Sequence, residues 1–214
     1  MKKVLYIATS LVLLFGFLFI VYSFTNKPSV ITYSEVNVIK PDDHLKWSSA
    51  KKDILVEYSD YQCPGCANFH KLIQTLEKSP DGAKIMQNVT FVYRNFPLTQ
   101  IHRNSLSAAY LGEAAGKQGK FFEMGDVLFD KQSEWAEAED PQPLFMRYAQ
   151  SLGLNIDQLK TDMNSQEVKD KVQKDQASGT NASLDKTPTF YLNGKKIDPQ
   201  SFDDFKTTLE QSYQ

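Results

Sequence analysis

The chain has 214 residues, 41% of them hydrophobic, which is enough for one substantial core and too few for two large ones. A formal net charge of −2 with both signs interspersed leaves a nucleic-acid surface or a polybasic membrane patch without support. Only two cysteines occur, both in the tetrapeptide Cys63-Pro64-Gly65-Cys66, so a framework of structural disulfides is excluded and the pair reads as one unit.

In chain order, Lys2 and Lys3 are followed by Val4 to Phe24, an uncharged stretch long enough to cross a hydrocarbon core as a helix. It ends in Tyr22-Ser23-Phe24-Thr25-Asn26-Lys27, which lacks a small-x-small cleavage site, so residues 1–27 are expected to be an uncleaved signal anchor. The lysine bias places the N-terminus in the cytoplasm and everything after the span outside it, at the cell surface or in a periplasm. In such an oxidising compartment a cysteine pair can be kept as a disulfide. Residues 28–50 read as a tether with a first strand around Val36 to Ile39.

The folded domain is expected over 51–214. Ile54-Leu55-Val56-Glu57-Tyr58 suits a buried central strand and leads directly into the cysteine motif. Phe69, Leu72, Ile73 and Leu76 recur at helical spacing, and Pro80-Asp81-Gly82 marks a break before Ile85. Val89-Thr90-Phe91-Val92-Tyr93 reads as a parallel neighbour of the first strand. From about 103 to 178 the pattern is helical almost throughout, with room for about four helices. Thr189-Phe190-Tyr191-Leu192 and Lys195-Lys196-Ile197 flank Asn193-Gly194, the preferred two-residue turn of a β-hairpin. Ser201 to Ser212 closes the chain as a helix with Phe202, Phe205 and Leu209 on one face. The order β, α, β, helical block, β, β, α predicts an α/β, thioredoxin-like fold with a helical insertion.

Only a thiolate exchanges disulfides well, and a helix N-terminus lowers a thiol's pKa through its unpaired N–H groups and dipole. Cys63, at the start of the predicted helix, is therefore the expected attacking sulfur, and Cys66, one turn in, the more buried resolving one. A static 63–66 bridge closes too small a loop to restrict the unfolded chain much, and a zinc site lacks ligands, since of the three histidines only His70 is near in sequence. No cofactor is implied beyond a redox-active Cys63–Cys66 disulfide. Glu57 sits mid-strand, where burial would raise its pKa and suit it to move a proton near the thiols; the alternative is that it faces solvent or a lysine. Tyr61, Gln62 and His70 are expected on loop or helix surface, and Trp135 with Phe121-Phe122 in core packing.

The Cys-Pro-Gly-Cys motif after a buried strand, Glu57 within it, Val92 to Leu98, the helical block, and Thr187-Pro188-Thr189-Phe190 opening a late hairpin together resemble the DsbA family of thioredoxin-fold disulfide oxidoreductases, in particular its membrane-anchored members. The resemblance implies a cis Pro188 facing the cysteines, where the Thr187 backbone can pair with an extended substrate. It also implies reduced exported proteins as substrates and an integral membrane reoxidant of the quinone-linked kind. The sequence departs from the best-known members at Pro64-Gly65, where they have Pro-His, and at Lys186. An oxidase, a reductase or isomerase kept reduced, and a binding or chaperone-like module that kept the fold stay open at this point. No dimerisation region is evident, so a monomer is expected.

Overall fold

The computed structural model describes residues 13–19, 21, 32–50 and 52–214, which fall into two compact units, 1–31 and 32–214. In the first unit, residues 13–19 and 21 are helical and exposed. The rest of the expected anchor over 1–27 lies outside the described residues. Among the described residues no helix is long and apolar enough to cross a membrane.

The second unit is built on a five-stranded sheet. Strand β1 spans His44–Trp47, β2 Asp53–Ser59, β3 Val89–Asn95, β4 Thr189–Leu192 and β5 Lys195–Ile197, in the spatial order β1-β3-β2-β4-β5. Strands β2 and β3 pair in parallel, and the other pairs are antiparallel. Every residue of β2 and β3 is buried, as their near-continuous apolar sequences require of strands covered on both faces. Alternation sends Ile54, Val56 and Tyr58 to one face, against Val92 and Tyr191, and Leu55 to the other, with Phe91 and Tyr93. Glu57 shares the face of Leu55. Asn193 and Gly194 both take positive φ, 51° and 77°, as the two-residue hairpin turn demands.

Helix α1, Pro64–Glu77, follows β2, and α2, Pro80–Asn88, leads into β3. Pro80 does not break a helix but starts one: Ser79 caps it, its hydroxyl accepting from Gly82 N–H at 3.0 Å. The insertion holds α3 (Ser105–Gly116), α4 (Phe121–Asp130), the four-residue α5 (Gln132–Trp135), α6 (Gln142–Ser151), α7 (Ile156–Asn164) and α8 (Gln166–Asn181). That is more than the four expected. Ser165 ends α7 and caps α8, and Asn155 caps α7, so these boundaries rest on single polar residues. Helix α9, Phe202–Ser212, closes the unit, capped by Ser201.

The expected strand at Val36 to Ile39 is a turn. Val36 N–H donates to Tyr33 O and Asn37 N–H to Ser34 O, while the carbonyls of Val36 and Val38 accept from the buried Arg94 guanidinium. With these N–H groups held by the turn and two of its carbonyls by Arg94, the segment does not pair as a strand. The first strand is instead His44–Trp47, at the sheet edge beside β3.

Candidate active site

The site lies where β2 ends and β4 begins. Antiparallel pairing sets Tyr58 opposite Thr189, so the residues just before β4 stand beside the loop that follows β2. Those residues are Thr187 and Pro188, joined by a cis peptide bond, and the loop carries Cys63. Cys63 is the N-cap of α1, with φ −71° and ψ 122°, and Pro64 takes the first helical position, where a missing N–H costs nothing. Both cysteines are free thiols. Cys66 is wholly buried, whereas Cys63 is 8% exposed, with Pro64 and Gly65 exposed beside it.

The two sulfurs have opposed environments. Cys63 is drawn well below an ordinary thiol, to about 5, chiefly by a hydrogen bond from the Cys66 thiol. Thr187 and the backbone N–H groups of Cys66 and Gly65 add to this, against the effect of burial. The backbone donors are those left unpaired at the start of α1. The Thr187 hydroxyl is buried without another protein partner among the described residues, so it can turn to the sulfur. Burial pushes the Cys66 thiol well up, and the neighbouring Cys63 and Glu57 raise it further. As a thiol, Cys63 Sγ lies 3.4 Å from Thr187 O. A methyl group at Gly65 would sit 3.5 Å from Pro188 Cδ and 3.6 Å from Cys63 Sγ, so glycine leaves an ordinary contact distance open over the reacting atom.

Glu57 is buried rather than facing solvent, and desolvation raises its pKa; Ser59, then His70 and Lys46, oppose the rise. It lines a small cavity with Lys46, Tyr61, His70, Tyr93 and Asp126. His70 is part-buried there, 3.1 Å from Asp126. Tyr61, expected at the surface, is buried and stacks on Tyr93 with ring centres 5.3 Å apart. Trp135 and Phe121 are core residues. Among the described residues no group of three or more His, Cys, Asp or Glu side chains comes together that could hold a metal.

Further residues hold the cysteine loop without any motif to announce them. The Asp60 carboxylate accepts from Gln62 N–H at 2.8 Å, Leu98 N–H at 2.9 Å and His102 Nδ1 at 2.7 Å, while Asp60 N–H points at Cys66 Sγ at 3.5 Å. Gln62, expected on the surface, is 3% exposed, because its side chain bridges Ala136 O and Asn104 N–H in the insertion. From the other side Gln132 Nε2 donates to Tyr61 O and Cys63 O.

A family model described as Thioredoxin matches residues 42–211. The crystal structure of alpha-DsbA1 from Wolbachia pipientis superposes with a TM-score of 0.70 at 23% identity, covering 85% of this chain and 96% of that one. That of oxidised BdbD from Bacillus subtilis gives 0.67 at 24% identity, covering 80% and 93%. A Na(+)/H(+) antiporter NhaA 1 from Mycobacterium sp. (strain KMS) is 33% identical over 184 residues, 84% of this chain but 28% of the antiporter's length. The match to Thioredoxin spans most of the folded unit, and the solved structures share its helical insertion and sheet: the chain belongs to the thioredoxin family, with the fold of the DsbA-type thiol-disulfide oxidoreductases.

Proposed function

We propose that this chain is a thiol:disulfide oxidoreductase that introduces disulfides into exported proteins through Cys63 and Cys66. The observation that carries the reading is the contrast between the two sulfurs: one held near 5 at a helix start beside a cis proline, the other buried and held high. In the oxidised form a substrate thiolate attacks Cys63 Sγ, the 63–66 bond breaks, and Cys66 leaves and takes a proton, for which Glu57 is the nearby buried acid. A second substrate thiolate then attacks the substrate sulfur of the mixed disulfide. The substrate disulfide forms, Cys63 leaves as a stabilised thiolate, and two electrons stay on the enzyme. A low-pKa leaving thiol speeds that last step and favours the reduced enzyme, which makes the pair an oxidant.

The uncharged stretch from Val4 to Phe24 supports a membrane tether with the site outside the cytoplasm, and a quinone-linked membrane partner would take the two electrons away. The enzyme acts as a monomer in this reading. The antiporters match over less than a third of their length, so the activity in their name is not carried to this chain.

The test is the equilibrium of the Cys63/Cys66 couple against glutathione, with Cys66→Ser as a covalent trap. The expected results are a strongly oxidising couple and mixed disulfides on Cys63 alone. A couple as reducing as thioredoxin would select the reductase reading instead, and an empty trap would remove disulfide exchange altogether.

A further inference from the structure

The acidity of Cys63 depends on where its sulfur points, and that is set by the backbone of an N-cap residue in a loop. Its N–H donates to Asp60 O at 3.0 Å, and its carbonyl accepts the first helical bond, from Ala67 N–H at 3.1 Å. Neither contact comes from outside the loop and its helix. The outside contact is Gln132, the first residue of α5, more than sixty positions along the chain. Its single amide nitrogen donates to Tyr61 O at 2.7 Å and to Cys63 O at 3.0 Å. Both amide hydrogens are used on two carbonyls that flank Gln62, and the reverse orientation of the amide would set its oxygen against two oxygens, so the assignment is fixed by its partners.

Gln132 is itself held in place. Asn104 Nδ2 donates to the carbonyls of Trp135, Ala136 and Ala138, at 3.1, 3.0 and 2.8 Å, and Trp135 Nε1 donates to Leu128 O at 2.8 Å. Gln62 completes the clasp, donating to Ala136 O at 2.7 Å and accepting from Asn104 N–H at 2.7 Å. Each side thus sends one glutamine into the other's backbone.

We propose that Gln132 is the positioning residue for Cys63: an amide presented by the helical insertion that fixes the N-cap backbone so that the sulfur stays over the first turn of α1 and against Thr187. The insertion then acts on the redox couple through a side chain that touches neither sulfur. The inference rests on the thiol-exchange reading above. Losing the amide lets the Cys63 backbone relax, weakens the alignment of the Gly65 and Cys66 N–H groups with the sulfur, and destabilises the thiolate relative to the disulfide.

The experiment compares the full chain with Gln132→Met, which keeps the volume and removes both donors, and with Gln132→Asn, which is too short to reach both carbonyls and serves where the methionine variant does not fold. Three readouts are taken: thiolate absorbance against pH, the glutathione equilibrium, and thermal unfolding of the reduced and oxidised forms. The expected result is about a tenfold weaker oxidant, with the thiolate titration displaced upward by a matching tenfold in proton concentration and the reduced form losing more stability than the oxidised one. Folded variants with unchanged titration and equilibrium, or an equal loss in both redox forms, would overturn the role of Gln132. If the unsubstituted chain itself titrated as an ordinary thiol, the exchange reading would fall, a distinct result.

Discussion

The sulfur of Cys63 and the carbonyl oxygen of Thr187 stand 3.4 Å apart, although 124 positions separate them in the chain. The contact follows from the pairing of β4 with the end of β2, which leaves the residue before the cis proline facing the helix start. The backbone at Thr187 is thereby committed to the reacting atom, while its buried hydroxyl has no other protein partner among the described residues. Thr187→Val keeps the shape and removes that hydroxyl. A hydrogen bond to a charged group contributes about 1.5–3 kcal/mol, and one pKa unit corresponds to about 1.4 kcal/mol, so the thiolate midpoint is expected to move from about 5 to about 6 or above. Absorbance of the thiolate against pH measures this directly, and an unmoved midpoint would exclude the threonine from stabilising Cys63.

The same depressed value makes the reduced protein sensitive to acid. A group whose folded pKa lies below its unfolded one adds stability above the unfolded value, and that stability is lost as the pH falls through the folded value. For Cys63 the stabilisation of the reduced form should therefore fade as the pH drops toward about 5, while the oxidised form, which has no thiol to ionise, shows no such loss. Unfolding temperatures of the two forms between pH 8 and pH 4 are expected to converge on the acid side. Parallel curves would contradict an acidic Cys63.

Glu57 has the opposite sign. Burial raises its pKa, so the fold favours the protonated carboxyl, and stability held at low pH is lost as the pH climbs through the raised value. Glu57→Gln keeps the shape without the titration and is expected to raise the unfolding temperature at neutral pH. The same change removes a proton carrier near Cys66, and general acid–base catalysis by one positioned group is typically worth about 100-fold or more, so the step in which Cys66 attacks or leaves should slow by at least tenfold. Stopped-flow exchange with a model peptide separates the two effects. Unaltered kinetics would leave Glu57 a buried acid without a part in the reaction.

What was legible in the sequence is what is local. Strands β2 and β3 are short apolar runs bounded by turn residues, the Asn193-Gly194 hairpin is two adjacent residues, and the cysteine spacing on a helix start needs four. What was not legible depends on backbone groups brought together from far apart. Gln62 reads as an ordinary polar loop residue until Ala136 O and Asn104 N–H are placed beside it, and nothing in the composition of α5 marks Gln132. Val36 to Ile39 carries the apolar residues of a strand, yet two of the segment's carbonyls belong to a guanidinium more than fifty positions away. A pattern of residue types cannot report a pairing of this kind, because the acceptor is a carbonyl that every residue has.

That guanidinium supplies the strongest stability prediction. Arg94 is fully buried and uses all five of its N–H groups. Nε donates to Asp43 Oδ1 at 3.1 Å, Nη1 to Val36 O and Tyr58 Oη at 3.1 Å each, and Nη2 to Asp43 Oδ2 and Val38 O at 2.8 Å. It therefore ties the arm ahead of β1 to the sheet, and Asp43, itself buried, has this fork as its main partner. Arg94→Met strips the Asp43 carboxylate of both fork contacts, leaving it Lys40 N–H at 2.8 Å and Lys171 Nζ at 3.7 Å, and takes this donor from the Val36 and Val38 carbonyls in a dry site, so the cost is expected to be about 3–5 kcal/mol, a large share of the roughly 5–15 kcal/mol that holds a domain together. Lysine cannot substitute, since it offers a point charge and three donors where a planar fork of five is used. Adding Asp43→Leu to Arg94→Met should recover part of the loss, because a buried carboxylate that has lost its fork costs more than an apolar side chain there, while Lys171 keeps Asp175 as its partner. Urea unfolding of the reduced chain and the two variants decides it: a single variant that loses less than about 1 kcal/mol, the value of a surface pair, would show that water reaches Asp43 and that the buried fork is not what closes the arm.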